Sequence, residues 1–245
     1  MNDFPASGIL VLAPHPDDAV LSVGAHMHVW LERGIPVTVL TLFTSTGGQP
    51  GKNIWDAYLP KLGFPNVDAL FAVRLQEEAT AMATLGVKWI NAGLTDAVFR
   101  PDAAGMCPPT MREMRSHGLA DRDVSLVEPV AEIIRQHAGE RLIVAPAGVG
   151  GHRDHWLTRM AAERVGPGLP QAIYTDMPYG QRPWKYQIRH FADFLLARPT
   201  FLPSNERKRA LLAVYATQLP FLGKGASHAP DLLWWRRRPA RVSAS

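Results

Sequence analysis

Gly8-Ile9-Leu10-Val11-Leu12-Ala13-Pro14-His15-Pro16-Asp17-Asp18 is the stretch on which the fold turns. It opens with a short continuous apolar run, the pattern of a strand buried on both faces. Two prolines then break the ladder, because neither has an N–H to donate. From Ala19 to Arg33, Val20, Val23, His26 or Met27, Trp30 and Leu31 recur near a 3.6 period, and Gly34 stops the helix. Pro36–Phe43 is a second buried strand. Strand, helix and strand within about 35 residues make a βαβ unit, which requires parallel strands and a right-handed crossover.

Further along, Thr44–Pro65 reads mostly as loop, Arg74–Leu85 as a helix ended by Gly86, and Val87–Ala92 as a short strand. Arg100–Gly118 holds three prolines and little periodicity, so it reads as a long loop of the kind that forms lids. Asp121 or Asp123 is placed to cap a helix running through Gln136. Arg141–Pro146 is another buried strand, and Gly148–Asp154 a Gly-rich turn into a helix from His155 to Val165. Ala172–Thr175 is a further strand and Glu206–Gln218 the last helix. Alternating elements of this kind predict an α/β fold, an open and mostly parallel sheet with helices on both faces. Sheets of that class place their sites beyond the carboxyl ends of the strands. The chain should form a single domain over residues 1–235, with a basic tail over 236–245.

Of the 245 residues 47% are hydrophobic and 20% charged, which excludes a disordered or low-complexity chain. The net charge is +4, and Arg236, Arg237, Arg238 and Arg241 account for all of it. A basic terminus is not a basic face, so no nucleic-acid partner is expected. Cys107 is the only cysteine, which excludes an internal disulfide and a multi-cysteine metal site, and it reads as a plain residue. The first residues carry no basic n-region, and no apolar run approaches the ~20 residues of a membrane span. A cytoplasmic location without a membrane span is expected, and homo-oligomers are compatible with the sequence.

The chemistry sits in two polar clusters, each directly after an expected strand. In the first, His15 and Asp18 at i and i+3 point the same way if the chain turns into a helix, as a zinc-type cation requires. Asp17 projects beside them, where it can approach water without being a ligand. The competing role is that Asp17 and Asp18 cap the helix. In the second, His152-Arg153-Asp154-His155 follows Gly148-Val-Gly-Gly151, whose glycines permit tight backbone geometry. Three protein ligands and one open position are the usual catalytic zinc pattern. One of these histidines completes a His/Asp/His set and leaves the other for proton transfer. His26 and His28, two apart on a helix, cannot face one metal.

These residues resemble the PIG-L/LmbE-like family of metal-dependent N-deacetylases. The likeness is carried by Ala13-Pro14-His15-Pro16-Asp17-Asp18 and by Gly150-Gly151-His152-Arg153-Asp154-His155. Weaker matches are Arg74-Leu-Gln-Glu77 with Ala81 and Leu85-Gly86-Val87, Asp96 after a strand, and Lys208-Arg-Ala-Leu211 with Tyr215 and Gln218. The resemblance implies a Rossmann-like fold carrying zinc, with His15, Asp18 and His155 as ligands and Asp17 as general base on the metal-bound water. It makes His152 the group that stabilises the oxyanion or protonates the leaving amine, with Asp154 orienting it. Arg74 would bind a polar or anionic part of the substrate and Asp96 its sugar hydroxyls; pairing of Arg74 with Glu77 or Glu78 and loop capping by Asp96 compete with those roles. The family usually continues its first motif with Glu, where this chain has Ala19.

The expected substrate is an amino sugar or amino-sugar glycoside bearing an N-acyl, most often N-acetyl, group. Trp55, Tyr58, Phe99 and Met106 in the two long loops offer apolar surface suited to a hydrophobic aglycone. The alternatives are an amidase of the same fold acting on a thiol conjugate or peptide-like amide, and a non-catalytic Rossmann-like binding protein.

Overall fold

A computed structural model describes residues 7–48, 54–102, 105–108, 110, 112–115, 119–166, 172–179, 197–223 and 225–236. Its strands are β1 (Ile9–Ala13), β2 (Val37–Ser45), β3 (Lys88–Thr95), β4 (Leu142–Pro146), β5 (Ala172–Tyr174), β6 (Ala197–Leu202) and β7 (Asp231–Arg236). They form one sheet in the order β3-β2-β1-β4-β5-β7-β6. The first five run parallel, and β7 pairs antiparallel with both β5 and β6. The helices are α1 (Asp18–Glu32), α2 (Leu59–Leu62), α3 (Val67–Leu85), α4 (Val127–Ala138), α5 (Arg153–Arg164), α6 (Glu206–Leu212) and α7 (Leu219–Leu222).

Alternation along β1 explains both layers. Ile9, Val11 and Ala13 join a core with α1, α3 and α6, while Leu10 and Leu12 join the core under α4 and α5. A strand covered on both sides has no solvent face, hence its unbroken apolar run. From β1 the chain moves outward through β2 and β3, and β4 with β5 builds the opposite half. The β1/β4 junction is therefore the topological switch point, where a crevice opens beyond the strand ends.

Several local expectations need correction. Helix α3 begins at Val67, where the Asn66 side chain accepts from the Ala69 N–H, seven residues ahead of Arg74. Its buried face carries Arg74, Glu77 and Glu78, which broke the apolar period. Residues Asp121–Leu126 form a 3-10 helix led by Ala120, so neither Asp121 nor Asp123 caps a helix; Asp123 instead takes Arg153 in a bidentate pair at 2.8 and 2.8 Å. The loop expected at Thr44–Pro65 contains the helical turns Ile54–Ala57 and Leu59–Leu62. The last long helix ends at Leu212 rather than Gln218. The boundary expected between 235 and 236 falls at the last residue of β7, and the rest of the tail, 237–245, lies outside the described residues.

Candidate active site

At the exit of β1 the chain must turn at once into α1. Asp17 takes a left-handed backbone with φ 95°, the one non-glycine residue with positive φ among those described. Asp17 stands at the N-cap position, yet its carboxylate caps nothing. Asp18 Oδ2 accepts the His15 backbone N–H at 2.9 Å rather than one from the helix. Neither carboxylate is spent on capping, so both are left for the cleft. Ala19 is fully buried in the apolar core; the carboxylate that reaches the motif's backbone comes from Glu78, which accepts the Asp17 N–H at 3.1 Å.

At the exit of β4 a tight turn delivers the second cluster. Gly150 has φ 92°, and a Cβ there would sit 2.4 Å from Tyr179 Cγ, so both conformation and space demand glycine. His152 is the N-cap of α5 and its Nδ1 accepts the Asp154 N–H at 3.3 Å. His155, one turn into the helix, holds its Nδ1 2.5 Å from Asp176 Oδ1. The other Asp176 oxygen accepts the Val149 N–H at 2.8 Å, tying the turn to the end of β5.

The two clusters meet around one oxygen. Asp18 Oδ2 lies 3.2 Å from His15 Nδ1 and 3.3 Å from His155 Nε2. On its far side His15 Nε2 is 3.0 Å from Asp154 Oδ2. Each imidazole thus turns one nitrogen to Asp18 and the other to its own buried carboxylate, Asp154 or Asp176. Metal-binding histidines are held in this way, since the outer carboxylate fixes the tautomer and raises the basicity of the inner nitrogen. Ligand atoms of His15, His152 and His155 also lie within 4.8 Å of one another, as do those of His15, Asp96 and Asp154. The chemistry of the donor set, imidazole nitrogens beside carboxylate oxygens, fits zinc.

The Asp154 carboxylate is not on His152. It pairs with His15 and with Arg100 Nη2 at 2.6 Å, and it accepts the Ala97 N–H at 2.9 Å. Only its backbone touches His152, so orientation of His152 falls to the α5 N-terminus.

Charge in this buried cluster is strongly coupled. Burial works against a proton on His15, but Asp96, Asp154 and Asp18 outweigh it and push the ring up to about 9. Burial likewise opposes charge on His155, and Asp18 and Asp176 overcome it and raise that ring. Asp18 is held far below the carboxylate range, since burial is outweighed by His155 and His15. Burial and the Asp18 charge lift Asp17 well above its ordinary value, and burial with the His15 charge depresses His152. Burial also opposes the Asp154 charge, but Arg100 and His15 hold that carboxyl down. Asp96 is raised chiefly by burial.

The cluster floors a cavity of about 680 Å³. Arg74 reaches it from α3 and does not pair with Glu77 or Glu78, whose carboxylates take Thr217 and the groups around Asp17. Its guanidinium lies over Phe71 and Trp55 at 5.1 and 5.7 Å, with Nη2 3.5 Å from the Pro16 carbonyl. Asp96 makes the capping bond expected of it, Oδ1 accepting the Val98 N–H at 2.9 Å, while its Oδ2 lies 3.7 Å from His15 Nε2 at the cavity. Of the apolar residues expected at the rim, Trp55 and Tyr58 line the cavity. Phe99 is core, and Met106 is 65% exposed away from the lining. Asp176, Arg115, Tyr179 and Phe221 were not singled out from sequence, because each stands in a stretch with no motif around it. His26 packs against Trp30 and donates its backbone N–H to Asp231, away from the site.

The profile of the family described as PIG-L: GlcNAc-PI de-N-acetylase matches residues 10–165. A 2'-N-acetylparomamine deacetylase of Streptomyces fradiae is 35% identical over 178 residues, covering 71% of this chain and 58% of that protein. A protein of the same name from Niallia circulans is 27% identical over 226 residues, covering 86% and 80%. The chain therefore matches little more than half the length of the Streptomyces protein. Among solved structures, a deacetylase in the biosynthesis pathway of teicoplanin aligns with a TM-score of 0.70 at 23% identity, covering 92% of this chain and 96% of that one. At that identity the likeness shows the fold.

Proposed function

The chain belongs to the PIG-L family, and from that premise we propose that it is a zinc-dependent hydrolase removing an N-acetyl group from an amino-sugar glycoside. The observation that carries the proposal is the pair of carboxylate-backed imidazoles facing Asp18, with the uncapped Asp17 beside them. His15, Asp18 and His155 would hold the metal. Zinc in such a site acidifies water and polarises an acyl carbonyl.

The chain's own residues divide the proton work. Asp17 takes a proton from the attacking water as the new C–O bond forms on the amide carbon. Because His152 Nδ1 accepts the Asp154 N–H, its proton sits on Nε2. His152 is thereby a donor to the developing oxyanion rather than a stored acid. The proton held by Asp17 then passes to the nitrogen as the C–N bond breaks, giving acetate and a free amine. Arg74 and Asp96 supply polar contacts to the sugar, and Trp55, Tyr58 and Phe221 an aromatic wall for an apolar aglycone.

The test is acetate release from 2'-N-acetylparomamine and from an aryl 2-acetamido-2-deoxyglucoside, before chelation, after it and after zinc is returned. Activity lost and then regained is expected. Full activity in metal-free protein would overturn the metal assignment, and no acetate from either substrate with zinc loaded would overturn the reaction. Equal turnover of free N-acetylglucosamine and the aryl glycoside would remove the apolar-aglycone preference alone.

A further inference from the structure

We propose that Glu78 is a positioning residue for Asp17, holding its peptide in the left-handed conformation that points the carboxylate into the cleft. This rests on Asp17 acting as the base. A helix beginning with Asp ordinarily has an extended N-cap residue, whose carboxylate turns back onto the first N–H groups. The N-cap residue's own N–H is often taken by Glu or Gln three positions on, the capping box. Here that position is Val20, which has no acceptor to offer. The acceptor arrives instead from another helix: Glu78 Oε2, on α3, lies 3.1 Å from the Asp17 nitrogen.

Glu78 is itself clamped. It is fully buried, and Oε2 also accepts the Tyr215 hydroxyl at 2.6 Å, while Oε1 accepts the Thr41 hydroxyl at 3.0 Å. Thr41 in turn accepts the Trp89 Nε1–H at 3.0 Å, which sets the direction of its own donation toward Glu78. Donors from β2 and the turn after α6, the first of them oriented by Trp89 of β3, thus fix one carboxylate, and that carboxylate fixes the peptide of Asp17. Positive φ at a non-glycine residue persists only where the surroundings over-determine it, and this network does so. Nothing in the sequence pairs positions 17 and 78; the βαβ topology brings them together.

The experiment uses full-length, zinc-loaded protein and acetate release from 2'-N-acetylparomamine. Glu78→Leu should keep its metal and its KM while kcat falls about 10²-fold, the scale of a reacting group misplaced by about 1 Å. Glu78→Gln, whose amide oxygen still accepts the Asp17 N–H, should lose less than about 10-fold on the same scale. Tyr215→Phe and Thr41→Val, which each remove one donor to Glu78 but leave its bond to Asp17, should cost clearly less than Glu78→Leu. In an Asp17→Asn background, Glu78→Leu should cost almost nothing further, because the group it positions is already disabled. An equal loss in both backgrounds, a loss of metal, or a Tyr215→Phe defect as large as that of Glu78→Leu would overturn the proposal. So would a crystal structure of Glu78→Leu, or of Glu78→Gln if the first does not fold, with φ at residue 17 unchanged in the leucine variant or relaxed in the glutamine variant. The structural arm stands even if wild type releases no acetate, an outcome that counts against the proposed reaction instead.

Discussion

Replacing Asp176 by asparagine asks whether His155 is held as a metal ligand. Asp176 is fully buried and serves two donors with its two oxygens, His155 Nδ1 at 2.5 Å and the Val149 N–H at 2.8 Å. An amide keeps one acceptor oxygen, so the variant must abandon one of them. If the oxygen stays with Val149, the amide N–H₂ meets His155 Nδ1, and the ring moves its proton to Nε2, the nitrogen that should face the metal. If it stays with His155, two N–H groups confront each other in the β4 turn, at a cost of about 1–3 kcal/mol for the donor left unpaired. Loss of such an outer partner weakens metal binding by about 10–100-fold. That corresponds to about 1.4–2.8 kcal/mol, and the short, charge-assisted bond here puts the expectation toward the upper end. Competition against a chromophoric chelator gives the affinity, and a melt with chelator present separates metal loss from damage to the fold. Wild-type zinc affinity in Asp176→Asn, with the fold intact, would refute the reasoning and remove His155 from the ligand set.

Four further outcomes follow. Asp17→Asn should retain zinc by elemental analysis while kcat drops about 10²–10⁴-fold, and His152→Ala should behave similarly, whereas Asp18→Ala should lose the metal. Gly150→Ala should lower stability by about 2–4 kcal/mol in a urea melt, since the added carbon meets the Tyr179 ring and φ stays positive. Phe221→Ala and Trp55→Ala should raise KM for an aryl acetamidoglucoside and leave free N-acetylglucosamine unaffected; the two rings meet edge to face at 5.9 Å. Cys107 should react slowly with iodoacetamide at neutral pH and reach its full rate only at a higher pH than a free thiol does, because burial and Asp102 lift its thiol above the ordinary value.

The parts of the fold legible in the sequence were those where one physical demand dominates. β1, β2 and β4 are covered on both faces, so their apolar runs have no competing pattern, and both histidine clusters follow such strands directly. α3 was half legible because its buried side carries Arg74, Glu77 and Glu78 for the site, and a helix that buries charge loses its apolar period. β6 and β7 went unread because the edge strand β6, with residues such as Arg198 and Pro199, and its antiparallel neighbour β7 lack a strand's alternation. In the site, the donors were visible but their partners were not. His15 and Asp154 are 139 positions apart, His155 and Asp176 are 21 apart, and Asp17 and Glu78 are 61 apart. Short-range spacing can propose a ligand; which carboxylate orients it is a property of the sheet order. Asp154 is an instance: the resemblance implies that it orients His152, whereas its carboxylate meets His15, which β1 brings across.

The electrostatics of this arrangement fit the proposed metal site. Asp17, Asp18, Asp96, Asp154, Asp176 and Glu78 are buried around the imidazole rings of His15 and His155, with that of His152 beside them, and the guanidiniums reaching them are those of Arg74 and Arg100. A core that collects carboxylates in such excess stores repulsion that hydrogen bonds alone offset only in part. Without a metal, the relief open to it is to charge the two imidazoles, and both His15 and His155 are displaced in that direction. The metal proposed for His15, Asp18 and His155 would bring positive charge to the same cluster while leaving the rings neutral, as ligation requires. Asp17 is outside that exchange: it keeps a negative neighbour in Asp18, a strained peptide and no capping duty. Those are the conditions under which a carboxylate binds a passing proton more readily than its neighbours do. The division of labour proposed for Asp17 and Asp18, adjacent and chemically identical, would thus be made by their surroundings, since both line the cavity but Asp18 alone faces the two imidazole nitrogens.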